Sequence, residues 1–146
     1  MHQFIYKRLT TVRDPEISNI AAAYRLPSIS QFISIADNYF DYVTSGANVF
    51  FYKVYENGRL VGTTHLETQS DTLFSDIVVL PDFQGQGIGT KILSDIQNDV
   101  FGLGYKTISV SIDEKNLASI RMFEKAGFVF VSQDEELRNY VYRIGE

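Results

Sequence analysis

The sequence predicts an α/β fold of the α+β type: a mixed, mostly antiparallel central sheet with helices on both faces. Three observations predict it. Asn57-Gly58 separates two apolar strands and is a strong hairpin signal. The β-branched run at 77–80 leads through a glycine-rich turn into an amphipathic helix. An alternating strand at 105–113 follows that helix, so it should lie parallel to the strand before it, through a right-handed crossover.

Periodicity and end signals place the other elements. The predicted strands lie at 4–9, 48–55, 60–68, 72–80, 105–113, 128–132 and 140–144. The predicted helices lie at 14–24, 27–42 and 88–101, with a last one beginning at Asn116. Asp14-Pro15 should open the first helix, and Gly102 and Gly104 should stop the third. The strand at 72–80 is apolar at neighbouring positions, which predicts a central strand covered on both sides.

Composition narrows the functional classes. A chain of 146 residues without a Pro/Gly/Ser-rich linker fits a single compact domain, and no apolar run is long enough to span a membrane. With no signal peptide after Met1, a cytoplasmic protein is expected. The absence of cysteine excludes disulfides, thiolate metal sites and a covalent acetyl-cysteine. A net charge of −5 argues against nucleic acid and anionic membranes as partners and suits a cationic amine.

The glycine-rich turn at 84–90 indicates a site for a diphosphate. Closely spaced glycines before a helix let backbone N–H groups and the positive end of the helix dipole approach one anion. A P-loop is a poor match, since Thr90-Lys91 follows Gly89 in the wrong order. A dinucleotide fingerprint is also a poor match, because the spacing is Gly85-x-Gly87-x-Gly89. A different diphosphate ligand is therefore expected.

Two segments resemble the signatures of the GNAT superfamily of N-acetyltransferases. The run Gln84-Gly85-Gln86-Gly87-Ile88-Gly89 is similar to its pyrophosphate loop. The second segment, at 116–128, is similar to the signature in which Asn starts a helix that ends in Tyr-Glu-Lys-x-Gly-Phe. Local physics agrees, since Asn116 can cap the helix and Gly127 suits a left-handed ending with Phe128 packed on Phe123. The resemblance extends over about residues 48–144.

The resemblance implies one N-acetyltransferase domain over residues 1–146, with acetyl-CoA in the wedge between two splayed parallel strands. Backbone groups on the first strand would hold the pantetheine arm and the acetyl carbonyl, the loop amides would hold the diphosphate, and two further residues would meet the pantetheine and the sulfur. The implied cofactor residues are, in that order, Ile77, Val78 and Val79; Gln84, Gly85, Gln86, Gly87, Ile88, Gly89 and Thr90; Asn116; and Phe123.

The implied reaction moves an acetyl group from acetyl-CoA to a primary amine of a small molecule or peptide, by direct attack in a ternary complex and without a metal. Its partners are acetyl-CoA and the amine, with no nucleic acid or membrane, and a homodimer is left open. The N–H of Val79 is the expected oxyanion donor.

The acid and base cannot be carried over from the family. Phe123 stands where many GNAT enzymes have a tyrosine acid, and Ser111 stands where some have a glutamate base. The replacement candidates are Asp76 as base, Glu67 in reserve, and His65, Tyr140 and Tyr142. Each also has a structural interpretation: Asp76 as a residue buried beside Lys91 or Arg121, and the others as ordinary strand residues.

Two other functional classes remain. One is a nucleotide- or phosphate-binding module without acyl transfer, which would need the glycine loop but no wedge and no Asn116. The other is a catalytically inactive GNAT-like domain that binds acyl-CoA as a sensor or acts as an interaction domain. The missing tyrosine favours the inactive domain, whereas the complete cofactor loop favours an enzyme.

Overall fold

A computed structural model describes residues 2–145, which form a seven-stranded sheet flanked by helices. The strands are β1 (Ile5–Arg8), β2 (Val49–Glu56), β3 (Arg59–Gln69), β4 (Thr72–Val79), β5 (Thr107–Asp113), β6 (Val129–Asp134) and β7 (Leu137–Arg143). The helices are α1 (Ile17–Tyr24), α2 (Pro27–Ser30), α3 (Tyr39–Ser45), α4 (Ile88–Gln97) and α5 (Leu117–Lys125), with a 3₁₀ turn at Pro81–Phe83.

The strand order is β1-β2-β3-β4-β5-β7-β6. Neighbours are antiparallel except β4 and β5, which are parallel and joined through α4. The predicted mixed, mostly antiparallel sheet with one parallel pair is confirmed. Among residues 2–145, no helix combines the length and apolar character that a membrane crossing requires.

The helices cover both faces of the sheet, as predicted. One core packs residues of α4 and α5, such as Ile92 and Ile120, against β5. The other core packs α1, α2 and α3 against β2, where Phe51 is fully buried. The two faces therefore differ in their helices, and a ligand that crosses the sheet plane meets different elements on each side.

An ion cluster around the buried Lys53 fixes the start of α1 on the sheet. The Lys53 ammonium on β2 donates to Asp14 Oδ2 at 2.6 Å and to Glu16 Oε1 at 3.0 Å. Tyr55 also donates to Glu16. Burial lowers the pKa of Lys53, but the bonds to Asp14 and Glu16 raise it by more, so the ammonium remains charged at neutral pH. The sequence predicted the Asp14-Pro15 signal but not its lysine partner.

The predicted helix at 27–42 is wrong as a continuous element. Residues 31–38 separate α2 from α3, and Ile33 and Ile35 both pack against the same core. The helical hydrogen bonds after α2 reach only to the Ile33 N–H, which donates to Ile29 O at 3.0 Å, and both isoleucines anchor the connecting segment.

The predicted helix at 88–101 also ends early, at Gln97. Asp99 adopts a left-handed φ of 47°, and its carboxylate accepts from the N–H groups of Leu103 and Gly104. An aspartate rather than the glycines turns the chain here, because a short polar side chain can satisfy local N–H groups.

β4 is the fourth strand of the sheet and central as predicted, but the prediction that both its faces are covered is wrong. Its parallel pairing with β5 is confined to Thr72–Thr107, Leu73–Ile108 and Phe74–Ser109. Phe74 is 41% exposed, and Asp76 is also exposed. The apolar residues of this strand predicted burial on both faces. The same residues carry no information on where β5 separates from β4.

The ends of the chain's last hairpin also differ from expectation. The predicted strands at 128–132 and 140–144 left a long loop, whereas β6 and β7 pair as far as Asp134–Leu137 around a tight turn in which Glu135 has a φ of 53°. All of β6 is exposed, so its sequence lacks the alternation of apolar and polar residues that marks a half-buried strand.

The Asn57-Gly58 hairpin and the C-terminal end of α5 are confirmed. Asn57 and Gly58 both have positive φ, at 52° and 76°.

Beyond α5, the N–H of Gly127 donates to Glu124 O and that of Phe128 donates to Phe123 O, each at 3.0 Å. This is the Schellman arrangement, and Gly127 has a φ of 97°.

We expect Gly127→Ala to lower the free energy of unfolding by about 1–2 kcal/mol, because an L-residue is strained at that φ. An added Cβ would also lie 3.4 Å from Tyr142. The matched control is Gly102→Ala, where φ is 70° and no atom lies within 4 Å of the added Cβ. Both substitutions place an L-residue at a positive φ, so the larger loss expected for Gly127→Ala in denaturant unfolding reports the wider φ and the Tyr142 contact. Equal losses would contradict that added contribution.

Candidate functional site

The early separation of β4 from β5 opens a wedge in the middle of the sheet. Beyond the pair Phe74–Ser109, residues 75–79 of β4 have no register partner on β5. A cavity of about 540 Å³ lies against this free edge. Its walls come from β4, from the glycine loop and α4, from α5, and from α2 and the segment after it.

Strand alternation determines which β4 backbone groups face the wedge. The N–H of Leu80 donates to Val61 O on β3 at 2.9 Å. Because backbone groups in an antiparallel pair point alternately toward and away from the partner, those of Val78 face β3 and those of Ile77 and Val79 face the wedge. Val79 O accepts from the Gln84 side chain at 3.1 Å, which agrees with this direction.

The glycine loop ends in an open helix N-terminus. Gly85 and Gly87 have φ values of 76° and 81°, and Gly87 is the N-cap residue of α4. No side chain of the described residues caps α4, so its first N–H groups are free to bind an anion. The loop and helix residues that line the larger cavity are Gln84, Gly85, Gly87, Ile88, Gly89 and Thr90.

Three of the predicted cofactor residues do not present the expected groups to the larger cavity. The backbone groups of Val78 face β3, although its side chain lines the cavity. Gln86 is not part of the lining, and its carbonyl accepts from His2 at 2.6 Å. Phe123 is 5% exposed and packs edge-to-face on Phe128, with centroids 5.1 Å apart. Met122 lines the cavity in its place, because α5 turns Phe123 toward the core.

Asn116 lies where the sequence placed it. It lines the larger cavity, and its side-chain oxygen accepts from the Ser119 N–H at 3.3 Å as the N-cap of α5. The cap fixes the start of α5 beside the wedge.

A second, smaller cavity of about 190 Å³ lies beside β4, where it separates from β5. It is lined by His65 and Glu67 of β3, Phe74, Ser75 and Asp76 of β4, and Ser109, Val110 and Ser111 of β5. Asp76 and His65 are direct register partners, so their side chains lie on the same face of the sheet. The structure thus brings together three of the predicted acid–base candidates: Asp76, Glu67 and His65.

Two tyrosines of α3 hold the β3 side chains of this cavity in place. The Tyr42 hydroxyl donates to Glu67 Oε1 at 2.6 Å, and the Tyr39 hydroxyl bonds His65 Nδ1 at 3.0 Å. His65 Nε2 lies 3.3 Å from the same Glu67 oxygen. Since a carboxylate only accepts, Nε2 carries a proton, and Nδ1 accepts from Tyr39 when the ring is neutral.

The sequence did not identify Tyr39 and Tyr42 as residues of the site. They are three residues apart on a helix, and their partners are two residues apart on a strand, so each pair shares a face. Tyr24 is a third, and its hydroxyl bonds Thr63 Oγ1 at 2.6 Å. Neither the helical repeat of α3 nor the strand alternation of β3 shows by itself that α3 packs on β3.

Desolvation raises the pKa of Asp76, and the charge of Glu67 raises it further, whereas His65 lowers it. Asp76 lines the smaller cavity among residues of three strands, and this concave protein surface removes part of its hydration. Lys91 bonds Asp95 at 2.7 Å on α4, and neither Lys91 nor Arg121 is among the groups that act on Asp76.

Tyr140 and Tyr142 lie outside the site. Tyr140 is fully buried and donates to Glu124 at 3.1 Å, and Tyr142 stacks on Phe128 at 5.3 Å. Neither lines the two cavities at the wedge.

Ser75 lies beside the point where β4 and β5 separate. Its hydroxyl is buried without a hydrogen-bond partner among the described residues.

Comparisons with known proteins agree with this geometry. The chain is 25% identical over 122 residues to the ribosomal protein bS18-alanine N-acetyltransferase of Escherichia coli (strain K12), which covers 82% of this chain and 81% of that protein. The fold matches a domain from Methanocaldococcus jannaschii DSM 2661 with a TM-score of 0.82 at 22% identity, over 99% of this chain and 100% of that one.

It also matches spermidine N-acetyltransferase from Vibrio cholerae in complex with CoA and spermine, with a TM-score of 0.80 at 12% identity, over 97% and 95% of the two chains. Residues 16–128 match the acetyltransferase (GNAT) family. This match includes the glycine loop, the wedge strands and the whole of α5, and the chain therefore belongs to the GNAT family of acetyltransferases.

Proposed function

We propose that this protein transfers an acetyl group from acetyl-CoA to a primary amine that arrives as a cation. The observation that carries the proposal is the pair of cavities that share β4. One is bounded by a glycine loop and an uncapped helix N-terminus, and the other contains two carboxylates and a histidine. An enzyme that joins two substrates directly needs two such sites with one common wall.

The larger cavity fits acetyl-CoA. The open N-terminus of α4 suits its diphosphate, and the free edge of β4 presents N–H and C=O groups to the amides of its pantetheine arm. When bound, acetyl-CoA supplies an activated thioester, so the protein has to supply position, electrostatics and proton transfer.

The smaller cavity fits a cationic amine. Its charged lining consists of Asp76 and Glu67, with His65 between them in the register. The net charge of −5 attracts the same class of ligand at long range. By name, one relative acts on an alanine of a ribosomal protein and one structural neighbour on spermidine, which are different amines. The proposal therefore stays with a primary amine of a small molecule or peptide.

Asp76 is the proposed base. An ammonium must lose a proton before its nitrogen can attack, and the raised pKa of Asp76 brings this carboxylate closer to the proton affinity of an amine. Glu67 lies further along the same face and is held by Tyr42 and His65, which suits it to receive the proton through water. The contact of His65 with Tyr39 fixes the ring beside both carboxylates.

The oxyanion donor is an amide of the free β4 edge. Val79 was the donor predicted from the sequence, and the alternation leaves Ile77 and Val79 as the candidates. Ile77 follows Asp76 directly, whereas Val79 lies about 7 Å further along the strand. The donor must bond the acetyl oxygen while the base takes a proton from the nitrogen that attacks the acetyl carbon. Because these atoms lie close together, we assign the developing negative charge on oxygen to the Ile77 N–H and the pantetheine contact to Val79.

The inactive sensor remains the alternative, and the observation that favours it is Phe123, a core residue that cannot give a proton. The ordered cluster of Asp76, His65 and Glu67 favours turnover, since a cofactor sensor has no use for a base on the opposite side of the wedge. The CoA sulfur can leave as a thiolate and be protonated later by water, so its departure does not require a general acid.

We expect Gly87→Glu to weaken CoA binding by at least about 100-fold, because the new carboxylate repels the diphosphate at the helix N-terminus. Gly58→Glu is the matched control: it adds the same charge at a similar φ of 76°, in the β2–β3 hairpin outside the cavity lining. Isothermal titration with CoA measures both. Unchanged CoA affinity in folded Gly87→Glu protein would show that the diphosphate binds elsewhere.

We expect Asp76→Asn to lower kcat/KM by at least about tenfold and to remove the acidic limb of its pH profile. The base must be ionised to work, so wild-type activity should fall as pH falls through the raised pKa of Asp76. Asp71→Asn, an exposed position in the β3–β4 turn, is the matched control. Thiol release from acetyl-CoA with a panel of amines gives the rates. A loss well below tenfold with the same acidic limb would leave Asp76 a structural role only.

A further inference from the structure

The side chain of His2 bridges the end of β2 and the glycine loop. Its Nδ1 lies 2.6 Å from Glu56 Oε2, and its Nε2 lies 2.6 Å from the Gln86 carbonyl oxygen. The ring stacks on Phe4 with centroids 5.7 Å apart and planes 16° apart. No motif in the sequence connects this residue with the site.

Both ring nitrogens of His2 face atoms that can only accept a hydrogen bond. A carboxylate and a carbonyl oxygen have no proton to give, so satisfying both contacts requires protons on both nitrogens. The geometry is therefore that of an imidazolium, and both hydrogen bonds are charge-assisted, as their short lengths indicate.

The direction of the Gln86 carbonyl sets the direction of the next amide. In a trans peptide the C=O of one residue and the N–H of the following residue point to opposite sides. His2 binds the Gln86 carbonyl from outside the cavity, which Gln86 does not line and Gly87 does. The N–H of Gly87 is then turned away from His2, toward the cavity.

We propose that His2 is a positioning residue for cofactor binding: it holds the Gln86 carbonyl outward and so keeps the Gly87 N–H directed at the diphosphate. Glycine at 87 makes this peptide easy to rotate, and an unheld loop would also present the carbonyl oxygen to the anion. The inference rests on the cofactor part of the proposed function and not on the acceptor or the base.

Protonation of His2 makes this positioning dependent on pH. The Gln86 carbonyl and then Glu56 raise its pKa above the ordinary value of 6.5, whereas desolvation lowers it. Among residues 2–145, Glu56 is the titratable group acting on the ring, and Phe4 is neutral. Since the folded-state pKa is raised, the contribution is complete below 6.5 and is lost as pH rises through the folded value.

The test is isothermal titration with CoA at about pH 6 and about pH 9, on protein with any affinity tag at the C-terminus. The variants are His2→Ala, His2→Gln and Glu56→Gln, and the exposed neighbour Gln3→Ala is the control. At low pH, His2→Ala should bind CoA about tenfold more weakly than wild type and Gln3→Ala. Wild type should lose affinity toward high pH, and His2→Ala should lose less.

Glu56→Gln separates positioning from simple stability. Without the carboxylate the imidazolium is less favoured, so the midpoint of the pH dependence should move to lower pH while the folded structure persists in thermal unfolding. Equal affinities of wild type, His2→Ala and His2→Gln at low pH would overturn the inference. If wild-type protein itself bound no CoA, the proposed function would fail instead.

Discussion

The early end of the pairing between β4 and β5 is the constraint on which the site depends. Three register pairs hold the strands together, and beyond them β4 is bonded to β3 alone. The backbone groups of Ile77 and Val79 are then left without sheet partners, although they lie in the centre of the sheet. A ligand with amide groups along its length can satisfy them as an added strand would, which is the property that suits this edge to a pantetheine arm.

The elements around the wedge are placed by contacts that are remote from it. The buried cluster of Lys53, Asp14 and Glu16 holds α1 on one face, and the tyrosines of α3 bind the side chains of β3. On the other face, the asparagine cap and the Schellman ending fix both ends of α5. The two cavities thus share one strand, while helices wall the larger cavity and strands wall the smaller one.

The sequence predicted the parts of the site that rest on local backbone chemistry. Asn57-Gly58, Gly87, Asn116 and Gly127 specify turns and caps within a few residues, and each lies where it was expected. It did not predict contacts that depend on register or docking. The alignment of Tyr39 with His65, the inward turn of Phe123 and the contact of His2 with Gln86 all join segments far apart in the chain. The separation of β4 from β5 was not predicted either, because it depends on the pairing of two segments that are far apart in the chain.

A crystal structure of the protein with CoA and, separately, with acetyl-CoA measures this arrangement most directly. We predict the diphosphate on the amides between Gly85 and Thr90, the pantetheine along the free edge of β4, and the acetyl oxygen within hydrogen-bond distance of the Ile77 N–H. The acetyl carbon should be open toward Asp76 from the smaller cavity. A cofactor bound away from the wedge, or an acetyl group sealed from that cavity by protein, would contradict the proposed function.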